Sequence, residues 1–271
     1  MLSSVIIARN DNYGGNLNER AVYCLNSFVK LCDEVIYVDW NSPNNISLFT
    51  EIKDYIEKTG RIRHIQVTNE FVFNLGLPLD SQAVVEVLAR NIGIRRAKGD
   101  FIISSNIDIV APLKLTFQPD ENCFYIIARR DISLEELRQI NNSQEYLFSN
   151  YDGYFCHGYS GINKQDVWSI IDCCGDFQLA SRKIWFDIRG FEEQMVYRGF
   201  SDSNVQRKAA NLGYKLVPIF NCPVFHIRHE GGFGGSGIAN DADRFVLNFN
   251  QPTMNNEAWG FSNVSFKEEV W

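Results

Sequence analysis

Three groups of residues in this chain carry side chains suited to metal or acid–base chemistry. The first is Asn106-Ile107-Asp108, a carboxylate with an amide two residues before it, directly after the apolar run that begins Phe101-Ile102-Ile103. An acid so placed lies at the carboxyl end of a strand, where open α/β sheets bind their ligands. The second is His226-Ile227-Arg228-His229, followed by Glu230-Gly231-Gly232. On a regular strand, residues i and i+3 face opposite sides. Both imidazoles therefore reach one ion only if the strand ends at His226 and the chain turns, which the glycines make easy. One carboxylate beside imidazoles suits Mn2+ or another transition ion better than Ca2+. The plainer alternative is one histidine hydrogen-bonded in the core and one in water. The third is Asp202, at the head of a helical pattern with Val205 and Ala209 inward and Gly213 at its end. An acid there caps the helix, and the helix N-terminus also keeps it ionised and oriented.

The elements that must position these groups follow from periodicity. Apolar runs at Ser4–Ala8, Val35–Asp39, Ile62–Val67 and Phe101–Ser105 read as buried strands, and Asn18–Cys32, Ile46–Lys58 and Ser81–Lys98 as amphipathic helices. Lys98-Gly99 stops the last of these helices. Strand and helix alternate, which predicts a mostly parallel, doubly wound sheet. Beyond Pro112 the alternation fades. Cys123–Ala128 reads as a strand, Leu134–Ile140 as a short helix, and the stretch around His226 as a strand. The tail from Asn248 to Trp271 is polar with spaced aromatics, fit to dock as an arm or to pack on another subunit.

With 271 residues and no linker-like stretch, one domain is expected. A hydrophobic content of 45% beside 22% charged residues is ordinary for a soluble globular chain. The formal net charge of −7 disfavours nucleic-acid backbone and anionic membrane as partners. No apolar run approaches the ~20 residues that span a bilayer, and the start shows no basic region or cleavage site, so a cytoplasmic protein is expected. The odd count of 7 cysteines, in no metal-finger spacing, points to free and mostly buried thiols.

The segment Ala89–Asp108, ARNIGIRRAKGDFIISSNID, resembles the helix, stop, strand and acid of sugar-nucleotide-dependent glycosyltransferases with the GT-A fold. HIRH resembles the Met-Ile-Arg-His of β-1,4-galactosyltransferases, and Gly199–Tyr214, GFSDSNVQRKAANLGY, is similar to the signature GWGxEDxDLxxRLxxxGY. Gly175–Glu193 resembles a further pattern that ends in Gly-Gly-Phe-Asp-Glu. The resemblance covers about Ser4 to Gly232. It implies a single GT-A domain, α/β with a Rossmann-like sheet and a smaller mixed acceptor-side subregion. Residues 1–110 would bind the nucleotide sugar, 111–235 would form the acceptor and catalytic half, and 236–271 a loop and arm.

The same resemblance assigns roles. Asp108, His226 and His229 would hold Mn2+ (or Mg2+), with Asn106 in the place of the first acid of a DxD motif, able to bond a ribose or a water. Asp202 would be the base that takes the acceptor hydroxyl's proton in an inverting transfer. Ser201 stands where relatives carry an acceptor-binding Glu, and Asp176 is a further acceptor ligand or alternative base. Arg9, with Asn10, resembles the Phe-Arg-Asn that lines a base pocket. Asp39, at a strand end, can take an imide N–H or ribose hydroxyls, or simply close an Asx turn. Arg90 would pair with the diphosphate or hold the base loop, unless it is a surface arginine. Trp40, Tyr154, Tyr159, Trp185 and Tyr197 are sugar-stacking candidates or core. Glu230–Gly237 would be a flap over the donor or a loop without a role. The donor implied is a nucleotide diphosphate sugar, most naturally UDP-linked, and the acceptor a glycan or glycoconjugate. The rival functions are a degenerate sugar-nucleotide or glycan-binding module and a retaining transferase.

Overall fold

The structure is a computed structural model and describes residues 1–77, 85–140, 143–150, 175–196, 199–230 and 253–271. Strand β1 (Leu2–Ala8) leads into α1 (Leu17–Leu31). Then come β2 (Glu34–Trp40), α2 (Leu48–Ile52), β3 (Ile62–Val67), α3 (Asn69–Asn74), α4 (Glu86–Arg96) and β4 (Phe101–Asn106). The second half adds β5 (Ile109–Val110), β6 (Cys123–Ile132), α5 (Leu134–Gln139), α6 (Gln144–Asn150), β7 (Phe177–Ser181), α7 (Arg182–Asp187), α8 (Ser201–Asn211), β8 (Lys215–Ile227) and β9 (Lys267–Val270). Among the described residues these strands make one sheet in the order β5-β8-β6-β7-β4-β1-β2-β3-β9.

The early strands pair in parallel: β1 with β2, β1 with β4, and β2 with β3. Buried on both faces, they need the near-continuous apolar runs the sequence shows. Val5, Ile7, Ile36 and Val38 enter one core layer with α4, α7 and α8. Their neighbours Ile6, Ala8, Val35 and Tyr37 enter the opposite layer with α1 and α2. The result is a helix–sheet–helix sandwich. The second half of the sheet is mixed. Strand β7 runs antiparallel to both β4 and β6, while β6 and β8 are parallel.

Local differences from the sequence-based expectation have physical causes. Helix α2 stops at Ile52 and a 3-10 turn covers Lys53–Tyr55. The Asn26 side chain donates to the Tyr55 carbonyl at 3.0 Å and accepts the Glu57 N–H at 2.9 Å, holding the backbone out of the helix. Strand β7 is only 5 residues long, FQLAS, and its buried polar Gln178 and Ser181 break the apolar run that marked β1 to β4. The tail docks as an arm, with β9 antiparallel to β3 at the sheet edge. The expected start of α4 at Ser81 lies outside the described residues. Among the described residues no helix is long and apolar enough to cross a membrane. Cys24, Cys32 and Cys222 are buried free thiols and Cys123 is half-buried; Cys156, Cys173 and Cys174 lie outside the described residues.

Candidate metal and donor site

Sheet order places the crevice. Helix α1 carries the chain from β1 to one neighbour, β2, whereas α4 returns it to the other neighbour, β4. Such a switch point opens a cleft at the carboxyl ends of the strands. Register brings the candidate residues to that edge: Ala8 pairs with Asp39 and Ile7 with Asn106. Arg9 follows at once, its Nε donating to the Asn41 carbonyl at 3.0 Å.

Asp108, His226 and His229 converge, with one possible ligand atom from each lying within 4.8 Å of the others. The strand runs one residue past His226, to Ile227, and the chain then turns. Ile109 pairs with His226 across β5 and β8, which sets Asp108 beside the histidine. His229 Nε2 stands 3.0 Å and His226 Nε2 3.8 Å from Asp108 Oδ2. The Arg20 guanidinium approaches the same oxygen at 3.3 Å. Burial opposes the charge on Asp108. The hydrogen bond from His229 and the charges of His226, His229 and Arg20 outweigh it and hold the carboxyl below its usual range. The other oxygen, Oδ1, is buried with no hydrogen-bond partner among the described residues. A buried acceptor left in this state ordinarily costs stability.

The donor set of one carboxylate and two imidazoles, in which one oxygen of the carboxylate has no partner among the described residues, fits a divalent transition ion. The turn after β1 completes the wall. Arg20 donates to the Tyr13 carbonyl and, from Nε, to the Gly15 carbonyl at 3.2 Å. Tyr13 meets the His229 ring edge-on, centroids 5.0 Å apart. Gly14 sits at φ +70°, and a Cβ there would fall 2.4 Å from His229 Nδ1. The turn can approach the histidine only because that position has no side chain.

Asn106 is held on both sides. Its amide donates to Asp176 Oδ1 at 2.7 Å, and its oxygen accepts from Arg90. Arg90 is buried, not a surface arginine. It also donates to Ser104 Oγ at 2.7 Å and to the Ser105 carbonyl at 3.3 Å, bracing the end of β4. Asp176 pairs with Arg129 through its second oxygen.

Asp202 lies in the first turn of α8, partly buried. Its oxygens accept the Gly175 N–H at 3.0 Å and the Ser203 N–H at 2.9 Å. Burial, joined by the charge of Asp176, raises its pKa above the ordinary carboxyl value despite those two donors. Ser201 begins the same helix, also partly buried.

Asp39 is fully buried and accepts from Ser42 Oγ at 2.8 Å, and that hydroxyl in turn accepts the Asn10 N–H at 2.8 Å. Its observed bonding is that of the turn after β2. Trp40 and Trp185 are core residues, the latter donating to the Ile102 carbonyl at 3.0 Å. The residues beyond Glu230 that were expected to form a flap, and Tyr154, Tyr159 and Tyr197, lie outside the described residues.

Sequence reasoning missed Arg20, Arg129 and Asp131. Arg20 carried a signal: it occupies the same helical stripe as Leu17, Cys24 and Ser27, all buried, where an arginine demands a partner. Asp131 lies in a part of β6 beyond the apolar run, where a charged Arg-Arg-Asp reads as a strand end.

No family model and no curated protein matches the sequence. Solved structures do match in fold. TarS of S. aureus, residues 1–349 in complex with UDP, aligns with a TM-score of 0.53 at 12% identity, over 84% of this chain and 60% of that one. GalNAc-T7 with UDP, GalNAc and Mn2+ aligns with a TM-score of 0.53 at 14% identity, over 88% of this chain and 45% of that one. The chain thus spans less than two thirds of the length of the first and less than half of the second. It has the GT-A fold of nucleotide-sugar glycosyltransferases.

Proposed function

We propose that this protein is a metal-dependent glycosyltransferase. It would move a sugar from a nucleotide diphosphate sugar, UDP-linked by preference, to an acceptor hydroxyl with inversion. The observation that carries this reading is the convergence of Asp108, His226 and His229 at the switch-point crevice, with a buried Asp108 oxygen lacking any partner among the described residues. That the fold neighbours were solved with UDP, one of them also with Mn2+, supports the same donor and ion.

Asp108, His226 and His229 would hold the ion, Mn2+ before Mg2+ given the imidazoles. When bound, that ion neutralises the diphosphate and the charge growing on the leaving group. Arg20, fixed by its bonds to the Tyr13 and Gly15 carbonyls, adds a permanent positive charge to the same wall. Asn106, braced by Arg90 and Asp176, offers no charge and serves to set the position of the chain before Asp108.

Asp202 would act as base. The acceptor oxygen attacks the anomeric carbon, its proton passes to an Asp202 oxygen, and the bond from that carbon to the diphosphate breaks as the nucleoside diphosphate leaves. Backbone donors at Gly175 and Ser203 fix the carboxylate in place, and its raised pKa makes it a stronger base than a solvated aspartate. Ser201 and Asp176 would face the acceptor.

The test is turnover of UDP-sugars with a hydroxyl acceptor panel and Mn2+, comparing wild type with Asp202→Asn. The variant is expected to lose at least 100-fold in kcat, with UDP affinity unchanged. Full turnover in Asp202→Asn would remove it as base, and donor binding without turnover in the wild type would favour a non-catalytic binding module.

A further inference from the structure

We propose that Asp131 is the positioning residue of the metal centre, orienting His226 for the ion and tying that centre through Arg129 to Asp176 on the acceptor side. The inference rests on the metal-dependent reading above and adds a residue to it that carries no ligand atom.

Register puts Asp131 where it is needed. Strands β6 and β8 run in parallel with Asp131 opposite His226, and Ile109 of β5 lies opposite the same histidine from the other side. The ladder does not reach this alignment smoothly. Ile127 pairs with Ile219, but Arg129 pairs with Val224, so β8 contains extra residues between the two contacts. The extra length falls at Phe220–Pro223, and Pro223 has no N–H to give a ladder. Without this irregularity a different residue of β8 would face Asp131. Bulges that re-aim a side chain are common beside functional sites.

The contact itself is specific. Asp131 Oδ1 stands 3.0 Å from His226 Nδ1. A carboxylate only accepts, so Nδ1 carries the proton and Nε2 is turned to Asp108, 3.8 Å from its Oδ2. That separation is too long for a hydrogen bond and leaves space between two donor atoms. His229 is arranged the same way by a different device. Its Nδ1 lies 2.9 Å from the Glu230 backbone carbonyl, and its Nε2 also faces Asp108. Each imidazole thus has an oxygen behind Nδ1 and the ligand nitrogen forward, the usual second contact of a metal-binding histidine.

Asp131 does more than the Glu230 carbonyl can. Being charged, it strengthens the imidazole as a donor. The same Oδ1 also accepts from Arg129 Nε at 3.0 Å. Arg129 then pairs with Asp176, and Asp176 accepts from Asn106, two residues before Asp108. The side chains close a circuit from His226 through Asp131, Arg129 and Asp176 back to the chain that carries the metal carboxylate.

The test uses Mn2+ alone as ligand, with calorimetry on wild type, Asp131→Asn and Asp131→Glu, and long-range 1H–15N spectra of the histidine rings in the metal-free proteins. Asp131→Asn is expected to weaken Mn2+ binding about 10–100-fold. Asp131→Glu should recover much of it. The His226 ring should report an Nδ1–H form in wild type that is lost in Asp131→Asn, while the His229 ring keeps its signal and so reports an intact fold. Equal Mn2+ affinity in Asp131→Asn, or an unchanged His226 ring, would overturn the inference while leaving the metal centre standing. Absence of Mn2+ binding in the wild type would overturn the metal reading itself, and the inference with it.

Discussion

Gly175 has no side chain because Asp202 stands where one would go: a Cβ there would lie 2.1 Å from the Asp202 Cβ. The same glycine donates its N–H to the carboxylate. Gly175→Ala should therefore push Asp202 out of place without touching Asp108, His226 or His229. Expected in steady-state kinetics is a drop in kcat of about tenfold or more, in line with the cost of misplacing a reacting group, with Mn2+ affinity unchanged. A variant with wild-type kcat would show that the Asp202 position is not critical. At this scale the sequence was legible where residue type and spacing carried chemistry. Asp108, His226 and His229 were paired from the sequence, and the structure brings them together. Arg20 and Asp131 were not, because their roles depend on which neighbour a helix face or a strand register supplies. At Asp39 the strand-end position suited either a ribose or base contact or an Asx turn, and the bond from Ser42 Oγ is compatible with both.

Strands β2 and β3 carry a pair of buried titratable groups whose effects oppose. His64 on β3 is buried, and burial, with a smaller push from Lys267, lowers its pKa from 6.5 to about 4. Asp39 on β2 is raised by burial from 3.8 to about 6, against hydrogen bonds from Ser42, Ser47 and the Leu48 N–H. Below the ordinary histidine value the unfolded chain takes up a proton that folded His64 refuses, so stability falls as pH drops from 6.5 to about 4. Folded Asp39 keeps a proton that the unfolded chain releases, so stability falls as pH rises from 3.8 to about 6. Each slope is at most about 1.4 kcal/mol per pH unit. Urea unfolding across this range should show Asp39→Asn losing more stability on acidification than wild type, and His64→Gln losing less. Parallel curves for all three proteins would contradict the burial of these groups. The apolar runs of β1 to β4 and the periodic α1 were legible to within a residue or two. Short β7, with polar Gln178 inside it, had neither an apolar run nor a period to read, and α2 was cut short by Asn26, a tertiary contact that no local pattern contains.

For the molecule as a whole, the helix–stop–strand–acid segment that suggested the fold proves to be its mechanical centre. Arg90 braces β4 beneath Asn106. Its neighbour Asn91 accepts the Phe191 N–H at 2.8 Å and donates to the Phe191 carbonyl at 2.8 Å, holding the turn after α7 against α4. One dipeptide thus joins the parallel half of the sheet to its mixed half. This explains why a short motif could announce an entire architecture, while the mixed half of the sheet stayed hidden behind long-range pairings. In the proposed function this architecture forms a metal-dependent site for a UDP-sugar. The most direct measurement is calorimetric titration of UDP into wild type and Asp108→Ala, with and without Mn2+. UDP should bind the wild type only with Mn2+ present, and this binding should be lost in Asp108→Ala. UDP binding equal with and without the metal, or no UDP binding in its presence, would contradict it.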